Sequence, residues 1–335
     1  MSSVASESCR AARLACSCAI GSAIQEANLR RCANLALWRI FVMVSMTVTL
    51  VGVAALLGVV LMRGLPALGP ALLFGDVSPL AAMTGAVPVW DGIWPACAGT
   101  FALLMVALGL AVLPGIGCGI HLALFASPRT RVLLGLAVDL LAGVPSIVMG
   151  LFGFTLLLAL RRTVAPDAST GLLLASVCLA LLVLPVLVVT TRGALEALPA
   201  QLRLTGAALG LDTWGRLRHL LLPAAGRGIL GGVLLAAGRA AEDTAVIMLT
   251  GVVASVGLPA GLGERFEALP FTIFYLSSQY RDAVELQRGF GAATVLLVLS
   301  LTLLAGAWLL QRVLERKWRG VLPVSPCQGT SEDIR

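Results

Sequence analysis

The sequence predicts an all-α, polytopic membrane protein with about six transmembrane helices. Three observations predict it: an apolar composition, six long apolar runs, and a one-sided distribution of basic residues. Of 335 residues, 59% are hydrophobic and only 12% are charged, and the mean hydropathy is +0.97. A soluble domain carries about 25% charged residues. A chain of this composition has too little polar surface to cover a water-soluble exterior, and a bilayer removes that need.

The elements follow in order. Residues 1–35 are polar and contain Arg, and their first apolar stretch is broken by Glu26 and Asn28, unlike a signal peptide. They are expected to form a cytoplasmic tail without a fixed fold, or to be an over-long start of the reading frame. About 20 apolar residues are needed to cross the hydrocarbon core. The runs that meet this are Ile40–Met62, Pro95–Cys118, Val132–Leu160, Gly171–Thr190, Gly228–Gly251 and Gly289–Leu310. Together they define a transmembrane domain over 36–320, followed by a cytoplasmic tail, 321–335. The third run is too long for one simple crossing. Gly143 and Pro145 predict that it breaks, tilts or re-enters.

Charge sets the orientation. With the N-terminus inside, 17 of the 24 Lys and Arg residues fall on the cytoplasmic side and six outside, with Arg239 left within a span. This excess predicts both termini in the cytoplasm. The formal charge of +7 therefore reads as topology. No basic stripe with interleaved aromatics points to nucleic acid. Trp90, Trp94 and Trp318 sit where interfacial anchors are expected.

The long inner segment, 191–227, is not rich in turn residues. Leu198, Leu202, Leu204 and Leu209 recur at helical spacing among arginines, which predicts a short amphipathic helix. Such a helix either lies on the membrane surface or docks on a partner. Gly210 would turn the chain after it, and Pro223 would open the fifth spanning helix.

Gly210, with Leu222-Pro223 twelve residues later, resembles the "EAA…G…LP" loop of ABC importer permeases. The stretch from Leu195-Glu196-Ala197-Leu198-Pro199 to Leu222-Pro223 looks like the phosphate branch. So do the third-run signature from Leu141 to Gly153, the Asp91-Gly92-Ile93-Trp94-Pro95 opening of the second run, and Gly238-Arg239-Ala240-Ala241-Glu242-Asp243-Thr244 in the fifth. Ala268-Leu269-Pro270 with Ile273-Phe274 favours a PstA-like subunit over its PstC-like partner. The resemblance covers roughly residues 40–320. One departure stands out: the family's Glu-Ala-Ala falls here on Leu204-Thr205-Gly206, without the acid.

The resemblance implies a type I ABC importer permease fold in the cell inner membrane. It also implies a homologous PstC-like permease subunit, two cytoplasmic ATP-binding subunits and a periplasmic or extracellular phosphate-binding protein as partners. It places ATPase coupling on Glu196, Ala197, Arg203, Leu204, Gly210, Leu222 and Pro223. Phosphate is the implied substrate. Sulfate or molybdate permease, stand-alone secondary transporter and structural membrane anchor are the competing readings.

Charges inside an apolar run mark a candidate path, because each costs about 2.5–3.5 kcal/mol at a helix centre. Arg239, Glu242 and Asp243 are expected near the middle of the fifth span. Arg239 and Asp243 are expected on one helix face, with Thr244 beside them. A guanidinium fork suits a tetrahedral oxyanion, and nearby carboxylates would weaken its grip so that the anion can leave. The bland alternative is a salt bridge that locks helices together. Asp139 would pair with Arg239 or with a partner subunit, or stay protonated. Ser146, after Pro145, would line a cavity. Gly143, Gly150 and Gly153 are expected to permit helix packing. No catalytic constellation appears. His121 and His219 lack ligand-spaced neighbours, no phosphate-binding loop motif occurs, and no cofactor or metal is expected.

Overall fold

A computed structural model describes residues 37–84, 92–163, 169–254, 256–258 and 261–318, together with Leu35, Val87, Val89 and Pro166. The expectations for the N-terminal tail to residue 34, the C-terminal tail, Trp90 and Asp91 lie outside the described residues, as do those for the side chains of Arg203 and Trp318.

The chain divides into two units at Leu61/Met62. Within the first, the helix that begins at Leu37 carries exposed apolar side chains such as Phe41, Val48 and Leu56. It continues to Ala67 as α1 (Leu37–Ala67).

The second unit is helical throughout its described elements. Two short helices, α2 (Pro70–Phe74) and α3 (Pro79–Thr84), precede α4 (Trp94–Phe125). Then come α5 (Pro128–Ala142), α6 (Ser146–Thr163), α7 (Leu172–Glu196) and α8 (Ala200–Ala208). The chain closes with α9 (Thr213–Glu242), α10 (Ala245–Thr250), α11 (Leu269–Ser278) and α12 (Ala283–Trp318). Six helices are long and apolar enough to cross a membrane: α1, α4, α6, α7, α9 and the 283–306 part of α12.

The break expected in the third run is present. Gly143 ends α5, Pro145 precedes α6, and the Pro145 carbonyl accepts the N–H groups of Val148 and Met149. The fifth span differs from expectation at both ends. It starts at Thr213, where the Asp212 carboxylate caps it by accepting from Gly215 N–H at 2.9 Å. Pro223 therefore lies inside the helix and does not open it. Pro223 lacks the N–H that would bond the His219 carbonyl, and its ring would clash there. A π-turn over Leu217–Leu221 takes up the misfit, with Leu222 N–H reaching back to Leu217. The span ends at Glu242, nine residues before the expected limit, because Asp243 adopts an extended backbone (φ −77°, ψ 108°).

The core surrounds α7, whose Leu179, Val183 and Leu187 are fully buried. Its neighbours meet it through small residues. A Cβ on Gly115 or Gly119 of α4 would stand 2.7 Å from Leu187 or Thr191, respectively, and one on Gly228 of α9 would stand 2.5 Å from Ala194. Trp94 is half-buried at the start of α4, its ring 5.6 Å from that of Phe74 and its indole N–H buried without a partner. Its ring is thus partly covered by Phe74.

The loop after α10 seals the start of α7. Leu172 and Leu173 N–H bond the carbonyls of Glu264 (3.0 Å) and Leu262 (2.7 Å), which satisfies two of the helix's initial donors. Glu267 holds this loop together. Its side chain is buried, and Oε1 accepts Val256 N–H at 2.7 Å and Gly257 N–H at 2.8 Å. Gly257 needs the left-handed region there (φ +88°).

Burial raises the Glu267 pKa, and the two backbone N–H groups oppose that rise. The folded form therefore holds its proton to a higher pH than the unfolded chain does. Stability is lost as pH climbs from the ordinary carboxylate value through the raised one. Glu267→Gln keeps the acceptor and removes the charge, so it should flatten this pH dependence in thermal unfolding of the detergent-solubilised protein. Glu267→Ala orphans both N–H groups and should cost about 1–3 kcal/mol at every pH.

Candidate functional site

Two interruptions of the helical framework meet in space. The first is Gly143-Val144-Pro145 between α5 and α6. The second is Asp243-Thr244 between α9 and α10. Small residues join the segments that follow them. A Cβ on Gly150 would stand 3.0 Å from the Ala245 carbonyl oxygen and 3.2 Å from Val246 Cα. One on Gly153 would collide with Cys178 Sγ and lie 2.8 Å from Thr250. Met149, Cys178 and Val246 form one buried cluster, with Leu141 and Val144 against it. Gly150 and Gly153 thus permit close packing as expected. Gly143 does not: the nearest atoms to a Cβ there are carbonyl oxygens of its own helix, at 3.5 and 3.6 Å.

Beside this junction lies a groove of about 320 Å³. Leu141, Ala142 and Val144 form one wall, Pro185 and Thr190 of α7 a second, and Leu235 and Arg239 of α9 the third. Arg239 brings the charge to this lining. It lies in the last turn of α9, where the exposed carbonyl ends of the helix favour a cation. Among the described residues its guanidinium has no ion-pair or hydrogen-bond partner. The Thr190 hydroxyl donates to its own helix, to Val186 O at 2.7 Å, which leaves its oxygen able to accept.

The other expected path residues take different places. Asp243 is buried and follows the end of α9, so it does not share a helix face with Arg239. Its Oδ1 accepts Val246 N–H at 2.9 Å, which caps α10. This local bond explains why the helix stops where it does, since Asp competes with the backbone for the following N–H groups. Glu242 is exposed at the end of α9, and Thr244 is half-buried with its carbonyl accepting Met248 N–H. Asp139 is exposed on α5 and makes no ion pair with Arg239. Ser146 is the half-buried first residue of α6 and does not line the groove. The alternative of an internal salt bridge that locks helices together finds no ion pair among the described residues of this group. Pro185 and Thr190 carried no sequence signal for the groove beyond a proline inside an apolar run.

The segment 191–227 forms the expected short helix, α8. Leu209 closes it and Gly210, at φ +70°, turns the chain, with Leu211 N–H returning to Gly206 O. Leu204, Leu209 and Trp214 are 68%, 68% and 62% exposed, an apolar face with nothing over it in the single chain. Glu196, the last residue of α7, pairs with Arg192 at 2.8 Å; such exposed i,i+4 pairs contribute about 0.3–0.5 kcal/mol. Ala197 follows as the C-cap. Gly206 is buried, and a Cβ there would stand 2.8 Å from Arg216 Cγ. The departure Leu204-Thr205-Gly206 thus lets α8 lie close on the start of α9.

The family described as binding-protein-dependent transport system inner membrane component matches residues 115–320. The chain is 32% identical to the phosphate transport system permease protein PstA 1 of Mycobacterium tuberculosis over 229 residues, 68% of this chain and 72% of that relative. It is also 32% identical to the phosphate transport system permease protein PstC of Mesorhizobium japonicum over 169 residues, 44% of this chain and about half (52%) of that relative's length. A chain from the inward-facing structures of the MetNI methionine ABC transporter shares the fold. Its TM-score is 0.51 at 18% identity, covering 71% of this chain and 99% of that one.

The capping role of Asp243 separates from any role of its charge. Asp243→Ala should lower the thermal stability of the solubilised protein by about 0.5–2 kcal/mol, the usual cost of losing a cap. Asp243→Asn keeps an acceptor oxygen and should recover most of that loss.

Proposed function

The chain belongs to the binding-protein-dependent transport system inner membrane component family, and from that membership we propose that it is the PstA-like membrane subunit of an ATP-driven inorganic phosphate importer. It is a multi-pass membrane protein with the fold of ABC importer permeases. As a permease subunit it forms half of the translocation path and carries no catalytic centre of its own. ATP hydrolysis belongs to two cytoplasmic subunits. A homologous PstC-like permease supplies the other half of the path, and a phosphate-binding protein outside the membrane delivers the ion. Both termini and the 191–227 segment face the cytoplasm, as the distribution of Lys and Arg supports. Residues 1–35 and 321–335 are cytoplasmic tails.

The observation that carries this reading is Arg239. Its cation stands in a groove against the Gly143–Pro145 break, without a neutralising partner among the described residues. The planar fork can make two charge-assisted bonds to a tetrahedral oxyanion. Exposed Glu242 lies three residues on and limits the depth of the electrostatic well, so the anion can depart. Alternating access follows if motion of α8, gripped by the ATPase, is passed along α9, because the two helices pack together through Gly206 and Arg216.

The direct test is ATP hydrolysis and uptake by the complete reconstituted complex with its binding protein. Phosphate should stimulate both, while sulfate and molybdate should not. Arg239→Ala should lower uptake at least 100-fold, on the order of the 3 kcal/mol that a charge-assisted contact contributes, with the complex still assembled. Normal uptake by that variant would refute the path assignment. Uptake that needs no ATPase would refute the importer itself.

A further inference from the structure

A second pocket, of about 540 Å³, lies between the C-terminal end of α4 and the N-terminal end of α9. Both of its sides are π-turns, His121–Phe125 and Leu217–Leu221. Such turns shift side chains out of helical register and recur at functional sites. Phe125, Leu217 and Leu222 line it with apolar surface, and Trp214, His121 and Arg218 supply the amphipathic and basic groups. The His121 ring stacks on Phe125 with centroids 6.5 Å apart. Among the described residues Arg218 has no hydrogen-bond or ion-pair partner, whereas neighbouring Arg216 bonds Thr213 and His219 bonds Gly215 O.

We infer that this pocket is a binding site for an acidic phospholipid of the leaflet that the charge bias marks as cytoplasmic. Three observations select a lipid as occupant. The pocket sits at one end of each of two helices long and apolar enough to cross a membrane, on the side that the charge bias marks as cytoplasmic, where lipid headgroups lie. Its apolar wall matches an acyl chain, and exposed Trp214, of a residue type enriched at membrane interfaces, lines it. An unneutralised Arg and a His complement an anionic headgroup phosphate, and basic pockets between spans on this side recognise such headgroups. The Arg218 guanidinium takes the phosphate, the His121 ring nitrogen donates a second bond, and Phe125 and Leu222 hold the chain. Occupancy would tie α4 to α9 at the end next to α8, where the transport stroke enters the membrane.

The test uses the assembled transporter in nanodiscs that contain a minor fraction of brominated phosphatidylglycerol or, separately, brominated phosphatidylcholine. Trp214 emission is taken as the difference between the wild type and Trp214→Phe, and the assay works whichever leaflet the pocket faces. Phosphatidylglycerol should quench Trp214 with a local enrichment of about fivefold over phosphatidylcholine, the effect of one Arg at an anionic surface. Arg218→Gln should abolish the preference and His121→Gln should reduce it. Either surface variant suffices if the other fails to assemble. Equal quenching by the two lipids would overturn the site, as would no quenching by either, which would mean that a protein subunit covers the pocket.

Discussion

The structure depends on close approach of helices to α7. In a bilayer the tails of lipid are as apolar as leucine, so burial of apolar area does not by itself drive one helix onto another. What holds the bundle is dispersion, and dispersion falls away within an ångström. Glycines therefore gather where helices meet. Gly115 and Gly119 bring α4 onto Leu187 and Thr191, Gly228 brings α9 onto Ala194, and Gly153 brings α6 onto Cys178. In α4 and α9 the pairs Gly115/Gly119 and Gly228/Gly232 are four residues apart, which puts each pair on one face. Three neighbours thus grip one central helix through surfaces too flat to tolerate a methyl group.

The same close packing explains how a membrane helix can be interrupted without penalty. An unbonded carbonyl or N–H in hydrocarbon costs several kcal/mol. The breaks at Gly143–Pro145 and Asp243–Thr244 avoid that cost locally: the Pro145 carbonyl takes two N–H groups and the Asp243 carboxylate takes another. Because Gly150 then seats against Ala245 and Val246, the two breaks are also shielded by protein. The groove that Arg239 lines is what remains beside this junction. Its polarity is confined to a few groups on otherwise apolar walls, which is the usual construction of a small-ligand site.

Most of this architecture was legible as hydropathy. All six runs became helices, and the Gly143–Pro145 break and the helix before Gly210 followed from residues that permit little else. The ends of the fifth span were not legible. Ala245–Thr250 is as apolar as the helix before it, so a window average passes over the two-residue gap at Asp243. The true start was hidden for the opposite reason. Pro223 looks like a first-turn proline, and only a π-turn, invisible to a 3.6-residue period, lets the helix run through it. The site shared this limit. Arg239 was found because a charge in an apolar run is costly wherever it lies. Its grouping with Asp243 failed because i,i+4 spacing means one face only while the helix lasts. Glu267 went unnoticed because its partners, the amides of Val256 and Gly257, have no sequence signature.

The missing acid of the 191–227 segment now has a physical weighing. An exposed ion pair across an interface contributes about 0.2–1 kcal/mol, and salt weakens it. Covering a leucine contributes about 1.5–3 kcal/mol. Leu204 occupies the position of the family's acid and is 68% exposed, with Leu209 equally so and Trp214 close behind. In the proposed docking on the ATPase, Leu204 and Leu209 alone outweigh the single charge they accompany. On that docking, the replacement would shift the contact from a salt-sensitive one to an apolar one, and the grip on α8 would not depend on a carboxylate. In that proposed docking, motion of α8 would reach α9 through Gly206 against Arg216 and Leu220 and through Leu202 packed on the cluster of Leu217 and Leu221.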